Sequence, residues 1–238
     1  YLCGGQKSKI LLVPNASSIP EKVAETYMHV FQDLGTQEIR VLNARHRSEI
    51  LHTDIHELFE GITGLFMTGG DQMRLMTMMG GTPFAQLLRT KVKQGLVLGG
   101  TSAGAAGMSS NMIVRGKSTA KLHQDAIRLA PGLGILKHMI VDQHFSERMR
   151  RSRLITAVCY NPNNLGIGID ENTAVIISKE GILEVMGRGS VTIIDGSHIS
   201  FTNIAEVRSN SPFGVLNVHL HLLIAGMKYN SFERTPIF

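Results

Sequence analysis

The sequence GLVLGGTSAG occupies residues 95–104 and decides the fold class. Its first part, Gly95–Leu98, is a short apolar run of the kind that forms a buried parallel strand. The glycine-rich part that follows predicts a sharp turn that leads directly into a helix. A strand, a tight turn and a helix in this order are typical of the βα units of α/β proteins.

The same alternation extends towards the N-terminus. Short apolar runs predict strands at Lys9–Val13, Ile39–Leu42 and Ile62–Met67. Apolar residues at spacings of three and four predict helices at Glu21–Leu34 and Ser48–Phe59. The third strand stops at TGGDQ, residues 68–72. Because ligands of parallel sheets bind outside the carboxyl ends of the strands, this loop and residues 99–104 are expected to border one crevice.

A third loop is expected at the same edge. The predicted strand Lys137–Val141 ends at DQHF, residues 142–145, and a helix from Glu147 to Cys159 is predicted to follow, with Ser146 as its N-cap.

The chain becomes rich in short strands and turns after residue 164. The predicted strands are Leu165–Asp170, Thr173–Ser178, Ile182–Met186, Ser190–Ile194 and Val215–Ile224. We therefore expect one α/β domain over residues 1–238, with a mostly parallel sheet flanked by helices and a C-terminal part rich in β-hairpins.

Composition excludes several classes of protein. The 238 residues are 43% hydrophobic and 18% charged, as in a globular domain, and glycines and polar residues interrupt the longest apolar window, Val97–Met108. The 24 basic residues are mostly dispersed and aromatic residues make up 5%, which argues against nucleic-acid binding. Neither a nucleic-acid nor a membrane partner is expected.

Cysteine usage bears on the compartment. Cys3 and Cys159 form neither a disulfide framework nor a zinc-binding spacing, so a reducing, cytoplasmic location is the expectation. Secretion stays open, because the sequence begins at Tyr1 rather than at a methionine.

Residues 100–104, GTSAG, match the nucleophile-elbow pattern G-x-S-x-G and lie in its required place between a strand and a helix. The elbow strains the backbone of its serine, and side chains in place of the glycines would collide with the neighbouring strand and helix. Ser102 is therefore a candidate nucleophile, and the N–H of Ala103 a candidate oxyanion donor. The alternatives are a turn that serves only packing and a phosphate-binding loop, although the G-K-[ST] ending of the latter is missing.

A serine nucleophile needs a base, and histidine is the usual one. Of the ten histidines, His144 is the best placed, at the end of a predicted strand. Two pairs have spacings compatible with a metal ion, but neither has a recognisable third ligand, so no metal site is predicted: His52 with His56, and His219 with His221.

The residues alone leave the identity of the orienting acid open. The chain order serine, histidine, acid offers Asp170 or Glu171 as the partner of His144. The order of the α/β-hydrolases instead pairs His198 or His219 with Asp170 or Asp195.

Four arginines directly follow the candidate base, namely Arg148, Arg150, Arg151 and Arg153. On the predicted helix, Arg150 and Arg153 lie about 60° apart on one ridge, and Arg148 and Arg151 form another. They form either a solvated helix face or a set of bidentate carboxylate binders beside the nucleophile.

Taken together, these motifs resemble the cyanophycinase family of serine exopeptidases. The resemblance rests on residues 68–72 and 100–105, on DQHF at 142–145, and on the arginines that follow it. It also includes Pro14–Ser17, Gly132–Gly134 and Gly166–Glu171, so it covers nearly the whole chain. The family is related to aspartyl dipeptidase (peptidase E). The resemblance implies a class I glutamine amidotransferase-like, flavodoxin-like fold.

The resemblance also implies roles for particular residues. It makes Ser102 the nucleophile, His144 the general base and Glu171 the acid, with the N–H groups of Gly70 and Ala103 as the oxyanion hole. The substrate-binding positions that it implies are Gln72, Asp142, Gln143, Arg148, Arg150 and Arg153. Cyanophycin, a poly-aspartate with arginine on each β-carboxyl, would be the substrate and β-aspartyl-arginine the product. A homodimer is implied, and no metal or organic cofactor is expected.

Three other functions are weighed against this one. A peptidase E-like dipeptidase would act on short aspartyl peptides through the same residues. A lipase-like esterase would need an HGGG-type motif before Ser102, which is missing. A non-catalytic binding protein on this scaffold would be expected to have lost Ser102, His144 or Glu171, and all three are present.

Overall fold

A computed structural model describes residues 1–116, 121–208 and 211–238. The chain divides into two compact units. The first comprises Tyr1–Met108 and Gly132–Ile135, and the second comprises Ser109–Pro131 and Leu136–Phe238. The expectation of one domain over the whole chain stays a prediction.

The first unit contains a parallel sheet of four strands in the order β2-β1-β3-β4. These strands are β1 (Lys9–Val13), β2 (Glu38–Val41), β3 (Gly64–Met67) and β4 (Val97–Gly100). The helices of this unit are α1 (Pro20–Asp33), α2 (Arg47–His52), α3 (Ile55–Phe59), α4 (Gln72–Met79), α5 (Pro83–Lys93) and α6 (Ala103–Gly107). The chain runs out from β1 to β2 and then returns to the other side of β1, so the strand order reverses between β1 and β3. Such a reversal opens a crevice at the carboxyl ends of the strands.

The helix predicted at Ser48–Phe59 is wrong in one respect, because two short helices replace it. The chain leaves the helical conformation at Thr53, and the Asp54 carboxylate accepts the backbone N–H groups of His56 and Glu57. An aspartate that caps a new helix in this way competes with continuation of the old one.

The second unit contains the remaining strands and one longer helix. In chain order these are β5 (Asn111–Gly116), β6 (Ile127–Pro131), β7 (Met139–Gln143), α7 (Arg151–Tyr160), β8 (Leu165–Ile169), β9 (Thr173–Ile177), β10 (Ile182–Gly187), β11 (Val191–Asp195), β12 (Phe201–Thr202), β13 (Val215–Leu216), β14 (His219–Leu223), β15 (Lys228–Asn230) and β16 (Thr235–Ile237). They form four-stranded sheets in the orders β14-β11-β8-β7 and β16-β15-β10-β9, together with the pairs β5-β6 and β12-β13.

Strand β7 pairs in parallel with β8 in the second unit and does not extend the sheet of the first unit. The other strand pairs of the second unit are antiparallel. The strand predicted at Val215–Ile224 is wrong as one element. It is two strands, because Asn217 between them has φ 61°. The fold class is confirmed as α/β, with a parallel sheet flanked by helices and a C-terminal part rich in antiparallel strands.

Helix α7 covers the sheet that contains β7. Leu154, Ala157 and Val158 on the helix pack with Ile140 of β7 and Ile194 of β11 in one buried cluster. The helix begins at Arg151, four residues later than predicted, and Ser146 does not cap it. The described residues include no helix with the length and apolar character needed to cross a bilayer.

Candidate active site

Three loops of the first unit lie together at the carboxyl edge of its parallel sheet. The loop after β1 contacts the loop after β3, because the Asp71 N–H donates a hydrogen bond of 2.9 Å to the Ala16 carbonyl. The loops after β3 and β4 are also in contact, since a Cβ placed on Gly69 would lie 3.3 Å from the Ser102 Cβ. The expectation that the two glycine-rich loops meet at this edge is confirmed.

Ser102 lies between β4 and α6 in a strained conformation, with φ 48° and ψ −112°. A non-glycine residue occupies this region only where its surroundings enforce it. Gly104 is part of that enforcement, because a Cβ there would lie 2.3 Å from the Met67 carbonyl oxygen of the neighbouring strand. The collision that the motif predicts is therefore present, and the glycine lets α6 approach β3 closely.

The predicted oxyanion donors are two backbone N–H groups of the first unit, those of Ala103 and Gly70. Ala103 is the first residue of α6, so its N–H has no acceptor within the helix. Gly70 has φ 144°, and a Cβ at this position would lie 2.2 Å from the Ala16 carbonyl oxygen, so only glycine fits. Gln72, the third predicted residue on this loop, begins helix α4.

In the second unit, the loops after β7 and β8 bring His144 and Glu171 together. The His144 Nδ1 lies 2.8 Å from the Glu171 Oε1. The two strands are parallel neighbours, and Gln143 is in register with Ile169, so the residues just beyond their carboxyl ends are adjacent. His144 has φ 49°, which turns the chain immediately after the strand.

Asp170, the other candidate acid, has different partners. Its Oδ1 accepts the Ser146 N–H at 3.0 Å, and its Oδ2 accepts the Ser190 hydroxyl at 2.6 Å and the Ser190 N–H at 3.0 Å. Burial raises the pKa of Asp170, but these hydrogen bonds outweigh it and hold the pKa below its usual value. Asp170 therefore fastens the loop that carries Glu171.

Sequence reasoning missed Glu147, whose carboxylate accepts the Glu171 N–H at 3.1 Å. The only feature of the sequence that could have indicated this role is the position of Glu147 three residues after His144. No simple pattern links it to a residue 24 positions away.

Asp142 is buried beneath two arginines. The Arg153 Nε donates to the Asp142 Oδ2 at 2.6 Å, and the Arg153 Nη2 donates to Oδ1, so the pair is bidentate. The Arg150 Nη1 also reaches the Asp142 Oδ1, at 3.2 Å, and bonds to the Gln143 carbonyl and side-chain oxygens. The side chains of Asp142 and Arg153 are only 2% and 7% exposed. Arg153 is therefore already occupied by a protein carboxylate.

The prediction that one helix carries all four arginines is wrong, because α7 begins at Arg151. Residues 146–150 form turns before α7, closed by the Arg150 N–H donating to the Phe145 carbonyl at 2.9 Å, with Met149 at φ 49°. This turn lets the Arg150 side chain fold back onto Asp142 and Gln143, which a helix would prevent.

Arg148, Arg150 and Arg151 are the more accessible cations of this segment. Arg148 and Arg151 are exposed, and their side chains form no hydrogen bond or ion pair with other described residues. Arg150 and Arg151 line a cavity of about 530 Å³, whose wall also includes Leu122 and Ile155. Burial lowers the pKa of Arg150, as do the neighbouring guanidinium groups, whereas Asp142 raises it. The segment thus offers accessible guanidinium donors suited to carboxylates.

Comparison with known proteins adds an independent result. Residues 1–185 match the description "Peptidase family S51". The chain belongs to this family. It is therefore a serine-type peptidase.

Curated relatives of this S51 peptidase span the whole chain. It is 40% identical over 238 residues to a protein named cyanophycinase from Geminocystis herdmanii, covering 100% of this chain and 88% of that one. It is 39% identical over 235 residues to a cyanophycinase from Trichormus variabilis, covering 98% of this chain and 79% of that one. The resemblance stated from the motifs is confirmed.

Solved structures share the fold of this S51 peptidase. A peptidase from an acI-B1 actinobacterium matches with a TM-score of 0.69 and 23% identity, over 96% of this chain and 88% of that one. A protein described as a putative peptidase E from Listeria monocytogenes matches with a TM-score of 0.53 and 18% identity, over 78% and 88% of the two chains. At these identities, the likeness concerns the fold.

The buried Asp142–Arg153 pair of the S51 peptidase makes a stability prediction. Asp142→Ala leaves two guanidinium groups without their carboxylate, and we expect a loss of about 3–5 kcal/mol in the free energy of unfolding. Urea denaturation of the variant and the wild type measures this loss. The matched control is Glu206→Ala, which removes an exposed acid and should change stability by less than about 0.5 kcal/mol. Equal stabilities for the two variants would contradict a structural role of the pair.

Proposed function

We propose that the protein is a serine exopeptidase that hydrolyses cyanophycin to β-aspartyl-arginine through Ser102, His144 and Glu171. The observation that carries the proposal is the hydrogen bond of 2.8 Å between the His144 Nδ1 and the Glu171 Oε1. It gives the histidine the partner that a general base needs. Full-length relatives that bear the name cyanophycinase support the choice of substrate.

The hydrogen bond determines the protonation of the His144 ring. An ionised carboxylate only accepts hydrogen bonds, so the His144 Nδ1 carries the proton that faces Glu171. The lone pair is then on Nε2, which is the form required of a general base. When His144 becomes an imidazolium during the reaction, the Glu171 charge stabilises it.

In the proposed reaction, the Ser102 Oγ attacks the carbonyl carbon of the scissile peptide bond and His144 takes the hydroxyl proton. The N–H groups of Gly70 and Ala103 stabilise the negative charge on the carbonyl oxygen. His144 gives its proton to the leaving amine, which departs and leaves an acyl-enzyme. Water then attacks the ester while His144 accepts its proton. The acid product leaves, and Ser102 regains its hydrogen. The strained backbone of Ser102 supports its assignment as the serine of a nucleophile elbow.

Recognition of the substrate is assigned to six side chains with different tasks. Arg148 and the N–H groups of Arg150 that have no acceptor among the described residues bind the free carboxylates of an aspartyl-arginine unit, because guanidinium groups bind carboxylates in a bidentate manner. Arg153 acts through Asp142, which it holds in place. Asp142 is buried beneath Arg150 and Arg153, so it acts on the substrate by positioning Arg150. Gln143 and Gln72 supply the oxygen acceptors for the guanidinium or α-amino group of the substrate. The expected homodimer and cytoplasmic location stay predictions.

The test is incubation of the full chain with purified cyanophycin, with soluble products followed by mass spectrometry. We expect β-aspartyl-arginine to accumulate as the main product, and Ser102→Ala protein serves as the blank. The same enzyme is then given short α- and β-aspartyl dipeptides. Hydrolysis of dipeptides with an intact polymer would overturn the substrate in favour of a peptidase E-like enzyme. No hydrolysis of either would overturn the enzymatic proposal in favour of a binding protein.

A further inference from the structure

Three side chains of metal-binding type meet at one end of the β14-β11-β8-β7 sheet in the second unit. They are Asp195, His198 and His219, and one ligand atom from each lies within 4.8 Å of the others. We propose that they form a binding site for a divalent transition-metal ion of the Zn²⁺ type, for which imidazole nitrogens and carboxylate oxygens are suitable ligands.

Strand pairing assembles this group from distant parts of the sequence. β11 and β14 are antiparallel, and Asp195 is the register partner of His219. The turn that follows β11 brings His198 back over the same strand end, where its ring stacks on that of His219 with 4.5 Å between centroids and an interplanar angle of 17°. Parallel rings at this distance place their nitrogens side by side. His219 therefore finds its co-ligands in Asp195 on the neighbouring strand and in His198, and not in His221.

Hydrogen bonds of Ser197 orient His198 for this role. The Ser197 hydroxyl lies 3.0 Å from the Asp195 Oδ2 and 3.0 Å from the His198 Nδ1. A hydroxyl has one hydrogen, and the carboxylate can only accept it, so the Ser197 Oγ accepts the N–H of the His198 Nδ1. The Nε2 of His198 then carries the lone pair. Metal-binding histidines are commonly held by such an N–H hydrogen bond on the other ring nitrogen.

Asp195 keeps one coordination position. Its Oδ1 accepts the Ser197 N–H at 2.9 Å and the Arg234 guanidinium, and its Oδ2 accepts the Ser197 hydroxyl. These bonds use three of about four lone-pair sites and leave one on Oδ2. These hydrogen bonds hold the carboxylate in one orientation and leave a lone pair for an ion.

Exposure of the two rings shapes the expected behaviour of the site. His198 and His219 are exposed, and neither ring hydrogen-bonds to another described residue apart from the contact between His198 and Ser197. An ion can thus enter from solvent without unfolding, and water can complete its coordination. A bound ion would connect the turn after β11 to the edge strand β14, which should stabilise the folded chain.

The test is titration of the metal-free full chain with Zn²⁺ by calorimetry, and with Co²⁺ by visible absorption, alongside thermal unfolding. We expect one strong site per chain and a rise in Tm on addition of Zn²⁺. His198→Gln and His219→Gln should each weaken this site at least tenfold and remove the rise in Tm. Both residues are exposed, so the variants should still fold, which circular dichroism checks.

Two controls separate this site from adventitious binding by other histidines. His221→Gln removes a ring two positions along the same strand that packs on Tyr229, and His52→Gln/His56→Gln removes the other spaced pair. Neither should alter the strong site. No strong site in the wild type, an unchanged site in His219→Gln, or equal weakening by the controls would each overturn the proposal. The readout is binding, so it is independent of peptidase activity.

Discussion

Ser102→Ala is expected to lower the rate of cyanophycin hydrolysis by about 10⁴-fold or more and to leave the fold unchanged. The change removes the only atom that forms the acyl-enzyme in the proposed reaction. It adds no bulk at a position where α6 and β3 are already in close contact through Gly104. Initial rates of β-aspartyl-arginine release measure the loss, and thermal unfolding checks the fold.

The matched control for this variant is Ser110→Ala. Ser110 follows α6, and the one hydrogen bond of its hydroxyl within the described residues is long, 3.5 Å to the Leu136 carbonyl. The same chemical change there should leave kcat and KM within about twofold of the wild type, as surface substitutions usually do. Substantial activity in Ser102→Ala would exclude the serine as the nucleophile, whatever the control shows.

Glu171→Gln has the second largest expected effect, a decrease of about 10²- to 10⁴-fold in kcat. The glutamine amide can donate a hydrogen bond to the His144 Nδ1, which favours the tautomer with the proton on Nε2. That tautomer cannot accept the proton of Ser102. The amide also lacks the negative charge that stabilises the imidazolium. Steady-state kinetics on the polymer should show the loss in kcat, with a much smaller change in KM.

The neighbouring acid provides a stringent comparison for this variant. Asp170→Asn makes the same chemical change one residue earlier, but Asp170 bonds to Ser146 and Ser190 rather than to His144. We expect a loss of about 1–3 kcal/mol in the free energy of unfolding and a smaller loss of kcat than in Glu171→Gln. If Asp170→Asn lost as much kcat as Glu171→Gln, the assignment of Glu171 as the orienting acid would be wrong.

Local sequence patterns predicted the correct element where the surrounding tertiary structure favours the same conformation. Lys9–Val13 is a strand with the predicted bounds, and the helix expected at Glu21–Leu34 is found at Pro20–Asp33. In both segments, the apolar residues form one continuous run or one helical face, so burial supports the local preference. The prediction failed at Asp54, whose side chain caps a second helix, and at residues 146–150.

The start of α7 shows why the arginine segment could not be predicted. Helical spacing predicted that Arg150 and Arg153 share one ridge, either facing solvent or beside the nucleophile. Instead, Asp142 attracts both guanidinium groups from a strand that ended before the segment began. Asp142 lies eight residues before Arg150 and eleven before Arg153. Helical periodicity carries no information about contacts of this kind.

The sequence by itself determined the α/β class, the glycine-rich turn around Ser102 and the candidate base His144. Each of these depends on residues within a few positions of one another, and the steric requirements of glycine and of a parallel strand are local. The residues alone left the acid open and the family resemblance pointed to Glu171; the tertiary structure shows that Glu171, and not Asp170, bonds to His144. Only the tertiary structure decided that Asp142 occupies Arg153 and that Asp195 meets His219. These outcomes follow from strand register and loop closure, which bring together side chains that are far apart in the chain.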